Sequence, residues 1–173
     1  VQYMTMYTEI GVKIAGGCCG TNPEYIRQMV TEMPLHAGER KDVKGRSVLC
    51  SPQKTVYVDG VRIIGERINP TGKKRFQQAL RECDLNYIAE RAIEQADAGA
   101  DILDVNVGLP GIDEKEMMIK VVKTIQSVTN LPLQIDSSDP EAIEAGLRVF
   151  NGKAIVNSVN GEKDVMDRIL PIV

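Results

Sequence analysis

From residue 61 to residue 173, short apolar runs alternate with longer stretches whose apolar residues recur every three or four positions. The short runs, residues 61–64, 102–107, 133–135 and 154–156, read as strands. Residues 84–98 read as a helix, with Leu85, Ile88, Ala92 and Ala96 on one face and Gly99 as its stop. Asp113 and Glu116 form a capping box ahead of Met117, Val121, Val122 and Ile125. Asp139-Pro140 starts a helix carrying Ile143 and Leu147, and a last helix begins over residues 163–170. The pattern is therefore β-α repeated, which predicts parallel strands covered by helices. A doubly wound sheet and a (β/α)8 barrel both satisfy it.

Upstream the pattern changes. Residues 55–58 and 61–64 are β-prone, and Asp59-Gly60 between them predicts a hairpin. Residues 35–48 are polar and basic without periodicity, and the linker is placed at 35–54. Further up, residues 11–19 read as a strand through Val12 and Ile14, running into Gly16-Gly17-Cys18-Cys19-Gly20. Asn22 then caps a helix with Pro23 at its first position and an apolar stripe of Ile26, Met29 and Val30, ended by Pro34.

Composition narrows the function. The 173 residues suffice for one domain and part of another, and 43% are hydrophobic, enough for a packed core. A net charge of -3 and a pI near 5.3 give no electrostatic case for nucleic acid. No apolar run approaches the roughly 20 residues that span a bilayer, so no membrane partner is expected. Cys18, Cys19, Cys50 and Cys83 are too scattered for a disulfide scaffold. The chain opens on Val1 without a signal-like stretch, and a reducing cytoplasm is the expected compartment. Cys50, Cys83 and the linker residue His36 read as structural or surface positions.

The strand bodies read as apolar, and polar residues gather where the strands end: Glu66 and Asn69, Asp104 and Asn106, Asp136, then Asn157 and Asn160. Asp and Asn also cap helices, and Asp113 and Asp139 are read that way. Asp136 and Asn157 follow their strands directly and leave capping to others. Repetition over four strands is the arrangement of a barrel whose chemistry sits at the strand C-terminal rim. Carboxylates and carboxamides there suit a ligand with adjacent donors and acceptors, as a pterin has. Other heterocycles and amides share that edge.

The sequences Gly65-Glu66-Arg67-Ile68-Asn69-Pro70-Thr71-Gly72, Asp101-Ile102-Leu103-Asp104-Val105-Asn106-Val107-Gly108, Ile135-Asp136-Ser137-Ser138 and Ile155-Val156-Asn157-Ser158 resemble the pterin-binding barrel of methyltetrahydrofolate methyltransferases and dihydropteroate synthases. The resemblance implies that Glu66, Asp136 and Asn157 contact a pterin and that Asn69, Asp104 and Asn106 line the same pocket. No residue is assigned a catalytic proton transfer. Adjacent Cys18 and Cys19 form a weak metal signal alone. Residues 15–24, however, resemble the last strand and helix of the zinc-dependent homocysteine methyltransferase barrel, which implies that this pair supplies two zinc ligands.

The tandem order, Cys-Cys-Gly-Thr and then Gly-Glu-Arg-Ile-Asn, is similar to the family of cobalamin-dependent methionine synthases. That implies an α/β fold: a partial (β/α)8 TIM barrel of about four βα units, preceded by the last βα element of another barrel and a linker. The domains are expected at 1–34, 35–54 and 55–173, in a piece of a longer enzyme. The implied reaction moves a methyl group from 5-methyltetrahydrofolate, through cobalamin on a separate domain, to homocysteine. The alternatives are a corrinoid-linked methyltransferase outside methionine synthesis and an inactive half barrel. Open sheet edges predict self-association.

Overall fold

The structure, a computed structural model, describes residues 3–12, 14–33 and 45–173. Pro34, His36 and residues 35–44 of the expected linker lie outside the described residues. The chain divides into two compact units, Val1–Lys44 and Gly45–Val173.

In the first unit, α1 (Met4–Glu9) is a short helix that the sequence pattern did not predict. The second helix, α2 (Pro23–Glu32), starts as expected, with the Asn22 side chain accepting the Tyr25 N–H at 2.9 Å and Pro23 at the first position. The strand predicted over residues 11–19 does not form among its described residues. A strand needs a neighbour to take up its backbone groups, none of the described residues pairs with 14–19, and Ile14 is 91% exposed.

The second unit opens with an antiparallel hairpin, β1 (Val48–Cys50) and β2 (Thr55–Tyr57), which pairs Leu49 with Val56. This strand lies inside the stretch read as linker. It also overturns the hairpin predicted around Asp59-Gly60. Leu49 and Val56 are both buried, whereas Val61 is 91% exposed and offers residues 55–57 no apolar partner face. Asp59 instead pairs with Arg62 at 2.9 Å and Arg46 at 2.6 Å. The actual turn is held by Ser51, whose hydroxyl accepts the N–H groups of Gln53 and Lys54 and donates to the Asn130 carbonyl at 2.7 Å. Cys50 and Lys153 exchange both backbone hydrogen bonds. Asn130 and Lys153 precede the strands Leu133–Asp136 and Ile155–Asn157, so the hairpin is pinned at their N-terminal ends.

Then come β3 (Ile64–Ile68), α3 (Lys74–Glu82), α4 (Leu85–Asp97), β4 (Ile102–Asn106), α5 (Glu114–Val128), β5 (Leu133–Asp136), α6 (Pro140–Val149), β6 (Ile155–Asn157) and α7 (Lys163–Ile169). The four later strands form one sheet in the order β3-β4-β5-β6, all parallel. Alternating βα units in one parallel sheet are a partial α/β barrel, as expected, and the described residues close no barrel. Asp84, Asp113 and Asp139 cap α4, α5 and α6 through their side chains. The first barrel strand lies later than predicted, at 64–68 rather than 61–64, and places Glu66 within it. Helix α3 was not predicted. It ends at Cys83, whose φ of 53° makes the left-handed corner into α4.

Alternation along the strands sorts side chains to two faces. Leu103, Val105, Leu133 and Ile135 pack under Ile88 and Ala92 of α4 and Met118, Val121, Val122 and Ile125 of α5. Each such fully buried aliphatic side chain stabilises the fold by roughly 1.5–3 kcal/mol. The opposite face carries Asp104, Asn106, Gln134, Asp136, Ile155 and Asn157, the face that positions the site.

Candidate functional site

Parallel register sets two rows across that face. Asn106, Asp136 and Asn157 are direct neighbours at the C-terminal ends of β4, β5 and β6. One pleat deeper, Asp104 neighbours Gln134, which neighbours Ile155.

In the outer row, the Asn106 amide donates to Asp136 Oδ2 at 3.0 Å. Its Oδ1 accepts the Gly108 N–H at 2.9 Å, which fixes the amide's orientation. Asn106 thus occupies one Asp136 oxygen from the side. The Asn157 side chain makes no hydrogen bond to a described residue, while its backbone carbonyl accepts the Ser137 N–H at 2.9 Å. The row therefore presents a braced carboxylate beside an uncommitted carboxamide. Behind it, the buried Ser137 hydroxyl donates to Glu114 at the start of α5, at 2.5 Å, and accepts the Asp139 N–H. That ties the loop following Asp136 to the neighbouring helix.

In the inner row, Asp104 is 3% exposed. Gln134 donates to it at 2.6 Å, and the Asn69 side chain, whose Oδ1 accepts the Thr71 N–H at 2.9 Å, lies beside the same carboxyl. Burial pushes this carboxyl above its ordinary range, and the nearby charges of Asp136 and Glu66 push the same way. Glu66 in β3 takes an ion pair from Lys73 at 2.8 Å. Glu66, Asn69, Asp104, Asn106, Asp136 and Asn157 therefore share the C-terminal end of one sheet face. Asn160 does not join them: its side chain accepts the Glu162 N–H at the start of α7. Gln134, Lys73, Glu114 and Ser137 were not foreseen. The expectation of apolar strand bodies concealed Gln134, although its two-residue spacing from Asp136 was a readable signal.

Cys18 and Cys19 lie in the first unit, both exposed, with sulfurs 3.8 Å apart. Thr21 closes their turn, its hydroxyl accepting the Cys18 N–H and its own N–H bonding the Cys18 carbonyl. A Cβ at Gly17 would lie 2.2 Å from the Thr21 side chain, so this turn requires glycine there. The Cys18 thiol is pulled below its ordinary value by hydrogen bonds from the Cys19 backbone and side chain. Two sulfurs held tetrahedrally at about 2.3 Å from one zinc ion stand about 3.8 Å apart. The pair fits two corners of such a site. No group of three or more metal-ligating side chains occurs among the described residues.

Residues 65–173 match the pterin binding enzyme family, and the chain belongs to that family. Residues 1–33 match homocysteine S-methyltransferase. The chain is 32% identical over 162 residues to the methionine synthase of Mycobacterium leprae and 30% identical over 157 residues to that of Mycobacterium tuberculosis. Each alignment covers 89% of this chain and 13% of the relative, so the chain spans about an eighth of the proteins it matches. Together the two family matches and these relatives support a segment of a methionine synthase. Among solved structures, a dihydropteroate synthase of Xanthomonas albilineans bound to indole-2-carboxylic acid and 6-chloroguanine superposes with a TM-score of 0.54 at 19% identity, over 75% of this chain and 48% of that one. The same enzyme with 4-aminobenzoic acid gives 0.53 at 21% identity, over 72% and 47%. These likenesses establish the fold.

Proposed function

We propose that the rim of β3 to β6 holds the pterin of 5-methyltetrahydrofolate, in an enzyme that passes the methyl group to homocysteine and so forms methionine. The outer row carries this reading. A pterin offers a ring N–H beside an exocyclic amino group, and the Asp136 carboxylate can accept both. Asn157, uncommitted and adjacent, supplies a donor and an acceptor to the next atoms of the ring. Asn106 keeps Asp136 from rotating away. Glu66 and Asn69 close the β3 side, and Asp104 with Gln134 forms a polar floor. In this reading residues 55–173 belong to the folate barrel, and residues 1–34 to the end of the homocysteine barrel.

Breaking a methyl–nitrogen bond needs the amine nitrogen to gain a proton or strong hydrogen bonds as it leaves. None of the six rim residues is assigned that role. Cobalamin, expected on a separate domain, would supply the nucleophile for the methyl group. Cys18 and Cys19 would hold zinc together with further ligands, and that ion would supply the Lewis acidity that keeps a thiol substrate ionised. The homocysteine S-methyltransferase match over residues 1–33 favours a thiol acceptor over a corrinoid methyltransferase outside methionine synthesis. A reducing cytoplasm fits four free cysteines.

The test is titration with methyltetrahydrofolate. Asp136→Ala should weaken binding by roughly 1.5–3 kcal/mol, the range for hydrogen bonds to a charged group. Equal affinity in the wild type and the variant, with both folded, would overturn the assignment.

A further inference from the structure

The pairing of β3 with β4 is irregular at one place. Gly65 pairs with Leu103 and Ile68 with Val105, so β3 advances three residues while β4 advances two. Glu66 and Arg67 together oppose Asp104, a β-bulge. Its consequence is a change of face. Under strict alternation, Ile68 would turn toward Asp104 and Asn69 toward the helices. With the bulge, Ile68 is completely buried in the helix-side core, and Asn69 reaches the Asp104 carboxyl.

A bulge leaves a backbone group outside the ladder, and here that group is answered from α4. Gln95, 8% exposed, accepts the Arg67 N–H through Oε1 at 2.7 Å. Its Nε2 donates to the Arg91 carbonyl at 3.0 Å, so both ends of the amide are fixed. The approach is close: a Cβ at Gly65 would stand 2.7 Å from Gln95 Oε1 and 3.1 Å from Leu103 Cδ2. We propose that Gln95 is a positioning residue for the pterin rim, holding the register shift that turns Asn69 to the ligand side. The ligand half of this inference rests on the folate reading above; the register half does not.

The experiment combines amide hydrogen exchange by NMR on the full chain with methyltetrahydrofolate titration. Gln95→Met keeps the length and removes the acceptor. It should lower protection of the Arg67 amide about tenfold, shift the Asn69 amide, leave the Asp136 and Asn157 amides in place, and weaken folate binding about tenfold, the scale of one hydrogen bond. Gln95→Glu keeps an oxygen at the Arg67 N–H and, when protonated, a donor at the Arg91 carbonyl, so in its protonated form it should restore both readouts. Gly65→Ala, which crowds Oε1 without removing it, should reproduce the Gln95→Met pattern and serves if that variant does not fold. Wild-type Arg67 and Asn69 amides in Gln95→Met, or a protonated Gln95→Glu variant as impaired as Gln95→Met, would overturn the positioning role. Altered Arg67 and Asn69 amides in Gln95→Met, with a wild-type chain that binds no methyltetrahydrofolate, would instead overturn the folate reading and its rim.

Discussion

Asp104 carries the strongest electrostatic signature of the rim. Burial holds its carboxyl above the ordinary range, reinforced by Asp136 and Glu66 and opposed by the Gln134 and Asn69 side chains. The unfolded value is about 3.9. Between that pH and the raised folded value, the folded chain keeps a proton that the unfolded chain has released. Stability from this group is therefore fully present below about pH 4 and falls as pH rises through the window. Asp104→Asn has no charge to bury, so its urea midpoint relative to wild type should climb as pH rises from about 4. A difference flat across that range would refute the account. The cysteine pair allows a second test. It supplies two sulfurs where firm zinc binding needs at least three protein ligands, and the described residues offer no such group. Zinc added to the chain should be stripped by chelator dialysis, as read by atomic absorption; stoichiometric retention would reveal a third ligand. Asp136 and Asn157 were legible in the sequence because each ends an apolar run. Gln134 was passed over because the strand body was read as apolar, although its two-residue spacing from Asp136 puts both on one face.

Helices were more legible than strands. Asp84, Asp113 and Asp139 announce their helices through local hydrogen bonds that need no tertiary partner. Strands depend on what they pair with. Asp59-Gly60 is a good turn sequence, yet β2 pairs backward with β1 because Leu49 and Val56 bury each other. The same dependence moved β3 three residues downstream and left residues 14–19 unpaired. Helix α3 was missed because Lys73 at its N-cap makes no side-chain capping bond. The hairpin's seat is also invisible in the sequence: Cys50 and Lys153, far apart in the chain, exchange two backbone bonds over Gly152. A Cβ at Gly152 would stand 2.1 Å from the Cys50 carbonyl oxygen and 2.9 Å from Phe150. Backbone cannot yield there as a flexible side chain would. Gly152→Ala should therefore cost about 1–3 kcal/mol, the scale of overpacking, in urea unfolding. An unchanged midpoint would show that the hairpin is not seated through this contact.

At the scale of the whole sheet, alternating βα units foretold parallel strands but not how the described residues treat their edges. Among the described residues β3 and β6 each have one strand neighbour, which leaves a row of backbone N–H and C=O groups outside the ladder on each. Such rows are templates for pairing between chains. The edge strands carry apolar surface as well: Ile64 is 39% exposed, and Ile63 beside it 58%. Neither edge shows the usual deterrents, a proline or an inward lysine: β3 reads Ile-Gly-Glu-Arg-Ile and β6 reads Ile-Val-Asn. Two copies joined edge to edge would bury these groups and extend the parallel or antiparallel ladder, at the cost of translational freedom that higher concentration reduces. The apparent mass by light scattering should therefore rise with concentration over a dilution series, and the unfolding midpoint should rise with it. Ile64→Lys, which places a charge on the exposed β3 edge, should return the mass to that of one chain. A compact monomer at every concentration, unfolding cooperatively at a constant midpoint, would show that the edges do not associate.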